Sequence, residues 1–414
     1  MRRALALLLF GMGGLPAQPL PPEVLTLARI RASVKQAVER LPDCTCVETV
    51  DRFWKPAGKE LKPFDRAVLQ ILFSGGKELF AAPGDARWET NPSAFLTSGM
   101  MGNGLFALHL EAVFLDNVSV IVYKGEEFVG GRREARYDFS ISRVSSGYEI
   151  HRAGASGVVA TRGSFWAGPE TYDLHRLEFH AEEIPPELLY NGISTAIDYN
   201  RVRIGDSDVL LPRDADLRTA DVNGEEKLNH IEFTHCQEFH TQSTVSFGAD
   251  DSAPSAPPSQ PPAESTLAPG LGVTVALSAP LDDRVPAGAL IEGKVVGNVM
   301  QKGKVLVPDG APVKGRLRRL ERYSGGSDPS IGDYFAVALE FLEIEAPSAR
   351  LRFYAELQDV DPAVGARMSL GARRISTQAV PGVGTFYVRG TKFSLPAGFK
   401  TVWTTELYPR SARP

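Results

Sequence analysis

The first part of the chain begins with hydrophobic residues at helical spacing. These residues recur at steps of three and four, while polar residues occupy the other side: Val24, Leu27, Ile30, Val34, Val38 and Leu41. This pattern predicts an amphipathic helix of about 20 residues that Pro42 ends. Weaker helical spacing follows over residues 64–73 and 105–114.

From Asn117 onward, apolar and polar residues alternate. The apolar members of the alternating runs are Val118, Val120, Val122, Tyr137, Phe139, Ile141, Tyr148, Ile150, Leu177, Phe179, Ile197, Tyr199, Ile231 and Phe233. Alternate side chains of a strand share one face, so this pattern predicts consecutive antiparallel strands with one apolar face. We therefore expect an α+β fold in which the N-terminal helix packs on a curved antiparallel half-barrel.

A stretch rich in proline and serine divides the chain at residues 249–270. It predicts an extended, polyproline-like linker between a domain at 19–248 and a domain at 271–414. The second segment has no helical period, and Gly, Pro and Asp separate its apolar runs. We expect a smaller all-β sandwich or barrel there.

Residues 1–18 have the pattern of a signal peptide. Arg2 and Arg3 precede an uncharged run from Ala4 to Leu15, and the small residue Ala17 follows. The run is shorter than the roughly 20 residues of a membrane span. We expect an exported, soluble protein of the periplasm whose mature chain has no transmembrane span.

The net charge of −5 gives no basic surface for nucleic acid.

One stretch carries a family resemblance. Residues 163–178 read Gly-Ser-Phe-Trp-Ala-Gly-Pro-Glu-Thr-Tyr-Asp-Leu-His-Arg-Leu-Glu, an aromatic pair followed by a Gly-Pro-Glu-Thr turn and a second strand. With the first helix and the closing strand at 229–233, this stretch resembles the periplasmic outer-membrane lipoprotein-sorting proteins, a lipoprotein-carrier-like family, over residues 22–247. The resemblance implies an incomplete β-barrel capped by helices. Its apolar hollow would hold a lipid or a lipoprotein acyl chain, without catalysis or cofactor.

The alternation and the resemblance together predict the residues that line this hollow. They are Phe139, Trp166, Leu177, Phe179, Ile231 and Phe233 on the strands and Leu27, Ile30, Val34 and Val38 on the helix. From the residues alone, an ordinary core against the helix is the usual fate of such side chains, and only the resemblance favours a hollow.

A fainter resemblance concerns residues 271–320. The hairpin pattern Gly-Lys-Val-Leu-Val-Pro at 303–308 is similar to the periplasmic β-domain of type IV secretion outer-channel proteins. It implies an interaction module for an envelope protein partner.

The three cysteines are Cys44, Cys46 and Cys236. In an oxidising compartment, a disulfide between Cys236 and either Cys44 or Cys46 is the first expectation. Free thiols and a metal site that includes nearby histidines are the alternatives. Because adjacent strand residues such as His235 and Cys236 point to opposite faces, we predict no metal site.

Other polar groups do not form a motif for catalysis. His175 and His180 flank Arg176 and Glu178 without a nucleophile beside them, so exposed strand residues are expected rather than acid–base catalysts. The basic group Arg316, Arg318, Arg319 and Arg322 predicts a solvated edge strand. The sequence contains no Gly-x-Ser-x-Gly, His-Glu-x-x-His or Walker motif. Non-catalytic lipid binding is the first interpretation, an envelope scaffold with an empty half-barrel is the second, and a hydrolase is a remote third.

Overall fold

The computed structural model describes residues 20–83, 88–92, 95, 101–152, 155–239, 263–323, 332–347, 349–370 and 380–407. The signal peptide predicted at residues 1–18 lies outside the described residues. Most of the linker predicted at 249–270 does too, but its described end includes a short strand, Ala263–Thr266, that pairs in parallel with Ala349–Arg352. None of the described helices has the length and apolar character of a membrane span.

Twelve strands precede the predicted linker. They are β1 (Cys44–Lys55), β2 (Lys62–Ser74), β3 (Lys77–Ala81), β4 (Val120–Val129), β5 (Arg132–Ile141), β6 (Glu149–Arg152), β7 (Ala155–Val158), β8 (Ala160–Ala167), β9 (Leu174–Glu182), β10 (Tyr190–Ile204), β11 (Ser207–Asp221) and β12 (Glu226–Glu238). Ten of them form one sheet in the order β3-β2-β1-β12-β11-β10-β9-β8-β5-β4, whereas β6 and β7 pair separately. We call this the first sheet, and its two edges are β3 and β4.

The predicted N-terminal helix is confirmed as α1 (Pro22–Glu39). A proline occupies its first turn, where the missing N–H costs no hydrogen bond. Ile30 and Val34 are buried in the core of the first sheet, and Leu27 and Val38 pack against that core. We call the covered side of the sheet its inner face. The α+β half-barrel with a helix on its apolar side is therefore present.

The helical prediction for residues 64–73 is wrong. This stretch lies in β2, where burial alternates at Ala67, Leu69 and Ile71. Pairing with β1 and β3 on its two sides overrides the local helical spacing. Residues 105–114 are helical in part, since α2 (Leu108–Leu110) continues as a π-helical turn, Glu111–Leu115. A 3₁₀ turn, Pro186–Leu188, precedes β10.

The remaining strands begin with β13, which lies within the described end of the predicted linker. They are β13 (Ala263–Thr266), β14 (Gly272–Leu277), β15 (Leu281–Asp282), β16 (Leu290–Val295), β17 (Val299–Gln301), β18 (Lys304–Val307), β19 (Pro312–Tyr323), β20 (Tyr334–Ala346), β21 (Ala349–Arg352), β22 (Ala355–Val360), β23 (Ala366–Arg367), β24 (Gly384–Arg389), β25 (Ser394–Leu395) and β26 (Lys400–Thr405). The main path of this second sheet is β13-β21-β20-β19-β16-β14-β26-β22, with β24 also on β20 and β23 on β24. Its core is centred on Phe341, Phe386 and Trp403, and a 3₁₀ turn, Pro362–Val364, follows β22.

The basic group predicted on a solvated edge strand lies mostly in the interior. Strand β19 runs between β16 and β20, and Arg316, Arg318 and Arg319 are buried. Arg318 donates to Glu340 at 2.9 Å, and Arg319 pairs with Glu321. The solvated-edge prediction is therefore wrong, because acidic partners on neighbouring positions allow the guanidinium groups to be buried.

The second sheet contacts the first along β1 and β2. The N–H of Val68 donates to the carbonyl of Ala287 at 3.1 Å, and the N–H of Ala287 donates to Arg66 at 2.8 Å. Beside these bonds, Arg52 on β1 pairs with Asp65 and lies 3.7 Å from Glu321 on β19. We call Arg52, Asp65, Arg319, Glu321 and Tyr323 the inter-sheet cluster. Its charges balance, which permits their burial between the two sheets.

Candidate functional site

The inner face of the first sheet gathers most of the predicted lining residues. A single apolar cluster contains or contacts Phe139, Leu177, Phe179, Ile231, Phe233, Leu27, Ile30, Val34 and Val38. The sequence could predict that these residues share a face, because each lies on a regular strand or helix. In such an element the periodicity determines which side chains point to the same side.

Trp166 is the exception, since it lies on the outer face. Its indole N–H donates to Glu127, and the guanidinium of Arg136 lies 5.4 Å from its ring centroid. The adjacent Phe165 takes the inner position, 5.1 Å from the ring of Tyr137. In an aromatic pair on a strand only one ring can point inward, and the alternation Gly163, Phe165, Ala167 is the sequence signal that assigns it.

A segment of the chain itself fills the space between α1 and the inner face. We call residues 101–115 the plug. The ring of Phe106 lies 6.1 Å from Phe73 and 5.2 Å from Phe233, and the ring of Phe114 lies 4.8 Å from Phe165. The helical spacing of this segment indicated a helix but not that its aromatic residues occupy the hollow, which depends on tertiary packing.

Polar anchors hold the beginning of the plug. The carboxylate of Glu78 on β3 accepts the N–H of Gly104 at 2.5 Å and that of Phe106 at 2.9 Å. The hydroxyl of Tyr199 donates to the carbonyl of Leu105 at 3.4 Å. Gly104 has a φ of +79°, a left-handed conformation that favours glycine. A turn with these bonds directs the next residues into the interior.

A second carboxyl group, that of Glu48 on β1, lies near Glu78. Glu48 is 1% exposed, and its Oε2 atom has no hydrogen-bond partner among the described residues. Burial, and then the negative charge of Glu78, raise the pKa of Glu48 to about 8. The folded protein therefore keeps Glu48 protonated at neutral pH, because a second charge in this interior is unfavourable.

This raised pKa predicts how stability depends on pH. Below its ordinary pKa near 4.5, Glu48 is protonated in both the folded and unfolded chains. Between that value and 8 only the unfolded chain releases the proton, so Glu48 lowers the free energy of unfolding as pH rises, by up to about 1.4 kcal/mol per pH unit. The variant Glu48→Gln should lose this contribution.

Urea unfolding of wild type and Glu48→Gln at pH 5, 6, 7 and 8 measures the contribution directly. Other titrating groups are common to both proteins, so the difference between their slopes isolates Glu48. Parallel pH profiles would show that Glu48 titrates normally in the folded chain.

An opening remains where the second half of the plug meets β5 and β9. We call it the mouth cavity, and it measures about 80 Å³. Its lining consists of Leu108, His109, Ala112, Val113, Asp116, Val118, Phe139, Ile141, Ser145, Ser146, Gly147, Tyr148, Thr161 and Phe179.

The wall of the mouth cavity is apolar with a polar rim. The ring of His109 lies tilted at 4.7 Å from the ring of Phe179 and edge to face at 5.7 Å from the ring of Tyr148. Burial lowers the pKa of His109 to about 4, so its imidazole is neutral at physiological pH. Asp116, Ser145 and Ser146 supply polar groups at the lining. The opening thus combines an apolar wall with a few polar groups at one edge.

The outer face carries the remaining polar residues considered for chemistry. The ring of His175 lies 2.8 Å from Glu134, whereas His180 is exposed and 3.6 Å from Glu182. Among the described residues, neither histidine is hydrogen-bonded to a serine, threonine or cysteine side chain, although Ser194 lies opposite His180 on the next strand. Among the described residues no group of His, Cys, Asp and Glu side chains could hold a metal ion.

The predicted disulfide is confirmed, and it joins Cys46 to Cys236. Cys44 remains a buried free thiol, and burial raises its pKa to about 11. The bridge links β1 to β12, beside the edge of the inner cluster.

Comparison with known proteins gives matches among solved structures. No family model matches the sequence, and no curated protein matches it. A putative outer membrane lipoprotein-sorting protein domain from Vibrio parahaemolyticus is 13% identical, with a TM-score of 0.30, over 55% of this chain and 96% of that chain. A DUF1329 family protein from Desulfovibrio piger is 12% identical, with a TM-score of 0.28, over 55% and 96%.

A LolA superfamily protein from Nitrosomonas europaea is 12% identical, with a TM-score of 0.25, and the match covers 52% of this chain and 96% of that chain. At these identities the similarities concern the fold alone. The similar solved structures include a putative lipoprotein-sorting protein domain, of the family that residues 163–178 resemble.

Proposed function

We propose that the half-barrel binds a lipid or a lipoprotein acyl chain at the mouth cavity, without catalysis. The cavity is continuous with the apolar inner face, and Phe139 and Phe179 belong to both. Val113 of the plug closes the opposite side. A binding site of this kind requires an apolar wall with few polar groups, which this lining provides.

The observation that carries the proposal is that a separate segment, rather than the sheet, fills the hollow. A chain of several methylenes exceeds the 80 Å³ that is open, so the ligand would replace part of the plug. Leu108 at the rim is about half exposed, and the helical part of the plug is short. Each methylene that enters contributes roughly 0.8 kcal/mol, which offsets the apolar contacts that the plug gives up.

The wider role follows from the chain's organisation. We propose an exported envelope protein with a signal peptide at 1–18, a half-barrel domain at 19–248 and an all-β domain at 271–414 that binds an envelope protein partner. Separate apolar cores for the two sheets support this division. The hydrogen bonds of Ala287 to β2 support a docked arrangement of the second domain rather than a freely tethered one.

The variant Ala112→Phe tests the site by filling it. Ala112 lines the mouth cavity, so the added ring should occupy the open volume and abolish binding of a fluorescent fatty-acid probe that the wild type binds. Replacement of the exposed Ala57 by Phe adds the same ring elsewhere and should leave binding unchanged. Binding is measured by probe fluorescence, and circular dichroism establishes that both variants fold.

Two results would contradict the lipid-binding proposal. One is undiminished probe binding in Ala112→Phe, which would place the site elsewhere. The other is a folded wild type that binds no acyl probe and carries no lipid in native mass spectrometry after purification from its own compartment. The second result would favour an envelope scaffold, the alternative that the filled interior also supports.

A further inference from the structure

Strand β4 forms a free edge of the first sheet. Among the described strands it pairs with β5 alone. Its apolar side chains are unusually open to solvent, with Val120, Val122 and Phe128 exposed by 65%, 51% and 79%. The opposite edge differs, because Phe80 on β3 pairs with Glu89. An open edge with apolar side chains is a surface for the addition of another strand.

A bulge near the middle of β4 determines which side chains share a face. Tyr123 lies opposite Tyr137 and Gly125 lies opposite Arg136, so Lys124 is the extra residue. Ile121 packs on the inner core, and Lys124 lies on the outer face, 3.4 Å from Asp138. Beyond the bulge the alternation resumes one residue later. The inner residues are Ile121, Tyr123, Glu126 and Phe128, and the outer ones are Val120, Val122, Lys124, Glu127 and Val129.

We propose that β4 pairs antiparallel with β4 of a second copy of this chain, which joins the two first sheets edge to edge. A two-fold axis between antiparallel strands keeps opposed side chains on the same face. With the bulge included, one register places Val122 opposite Val129, Tyr123 opposite Phe128, and Lys124 opposite Glu127 of the second copy. Glu126 then lies at the axis, facing itself.

The side chains favour this register. It creates an aromatic pair, a valine pair and a Lys–Glu pair, and the two-fold axis gives two equivalent copies of each pair. The charge of Glu126 at the axis is already balanced by Arg133 of its own chain at 3.4 Å. The neighbouring register with matched faces would instead oppose Lys124 to itself and Val122 to Glu127, which is unfavourable.

The bulge and Lys124 also disfavour pairing of β4 with a strand of an unrelated protein. A lysine and a bulge on an edge strand hinder pairing with an arbitrary strand. A strand that carries glutamate at the matching position overcomes that hindrance, and Glu127 of a second copy provides it. The surface therefore selects a copy of the same chain over an unrelated strand.

Charge exchange tests the proposed pairing in the full mature chain. Sedimentation velocity should show a dimer for wild type. Lys124→Glu and Glu127→Lys should each weaken dimerisation by about tenfold or more, because like charges then face each other. The double variant restores opposite charges and should restore dimerisation. A monomeric wild type, or a double variant that is no better than the single ones, overturns the proposal.

Cross-linking tests the register independently. In Glu126→Cys the two thiols meet at the axis, so mild oxidation should give a covalent dimer on a non-reducing gel. Val120 is more exposed than Glu126, at 65% against 39%, but it lies away from the axis, so Val120→Cys should remain monomeric on the gel. The native free thiol, Cys44, is buried and does not compete. Equal cross-linking of the two variants, or none in Glu126→Cys, would refute this pairing.

Discussion

The variant Glu321→Ala is expected to lower the free energy of unfolding by about 3–5 kcal/mol, because it leaves the buried guanidinium group of Arg319 without its anion. Glu321 is fully buried, pairs with Arg319 and lies 3.7 Å from Arg52. It also accepts a hydrogen bond of 2.7 Å from the hydroxyl of Tyr323. Urea unfolding followed by circular dichroism measures the loss.

The matched control is Arg322→Ala. Arg322 belongs to the same strand, but its side chain is half exposed and its partner Asp333 lies 3.4 Å away. A solvated ion pair contributes at most about 1 kcal/mol, so this variant should unfold almost as wild type does. Equal losses in the two variants would show that the inter-sheet cluster does not depend on Glu321.

Hydrogen exchange in Glu321→Ala then distinguishes docked sheets from tethered ones. Glu321 lies on β19, but Arg52 and Asp65 of the same cluster lie on β1 and β2. If the sheets dock through this cluster, amides of β1 and β2 should lose protection together with those of β19. Loss confined to β19 and its neighbours in the second sheet would indicate that the two parts are independent.

Local spacing explains which elements could be predicted from the sequence. Helix α1 and the alternating strands β5, β9 and β12 were predictable because each presents one apolar face at its own period. Strand β2 was not, since the apolar run from Ala67 to Phe73 fits a helix as well as a strand until β1 and β3 pair with it. Period alone does not distinguish the two for a short apolar run.

The burial of polar residues was harder to predict from the sequence than the strands and helices were. A solvated arginine and a buried one have the same sequence signature, and only the partner decides between them. The signal for Arg319 was Glu321 two residues later on the same strand face, and the signal for Arg318 was Glu340 on the next strand. The position of the plug could not be predicted for a related reason. Phe106 and Phe114 contact aromatic residues on β2, β8 and β12, which are distant in sequence.

The variant Cys236→Ala should lower the free energy of unfolding by up to about 5 kcal/mol. The disulfide joins residues 190 positions apart, and a cross-link over so long a loop removes much of the unfolded chain's conformational entropy. In the folded state it connects β1 and β12 where their pairing ends, at Cys44 opposite Glu238. Urea unfolding without reductant measures the loss.

Reduction and Cys44 provide the controls for this disulfide. Dithiothreitol should lower the unfolding midpoint of wild type and leave that of Cys236→Ala unchanged, because the variant has no bridge to reduce. Cys44→Ala removes a buried thiol that is not bridged, so its cost should be about 1 kcal/mol and reductant should still act on it. Three alkylatable thiols in protein from its native compartment would contradict the Cys46–Cys236 bridge. A loss in Cys44→Ala as large as that in Cys236→Ala would instead assign the bridge to Cys44.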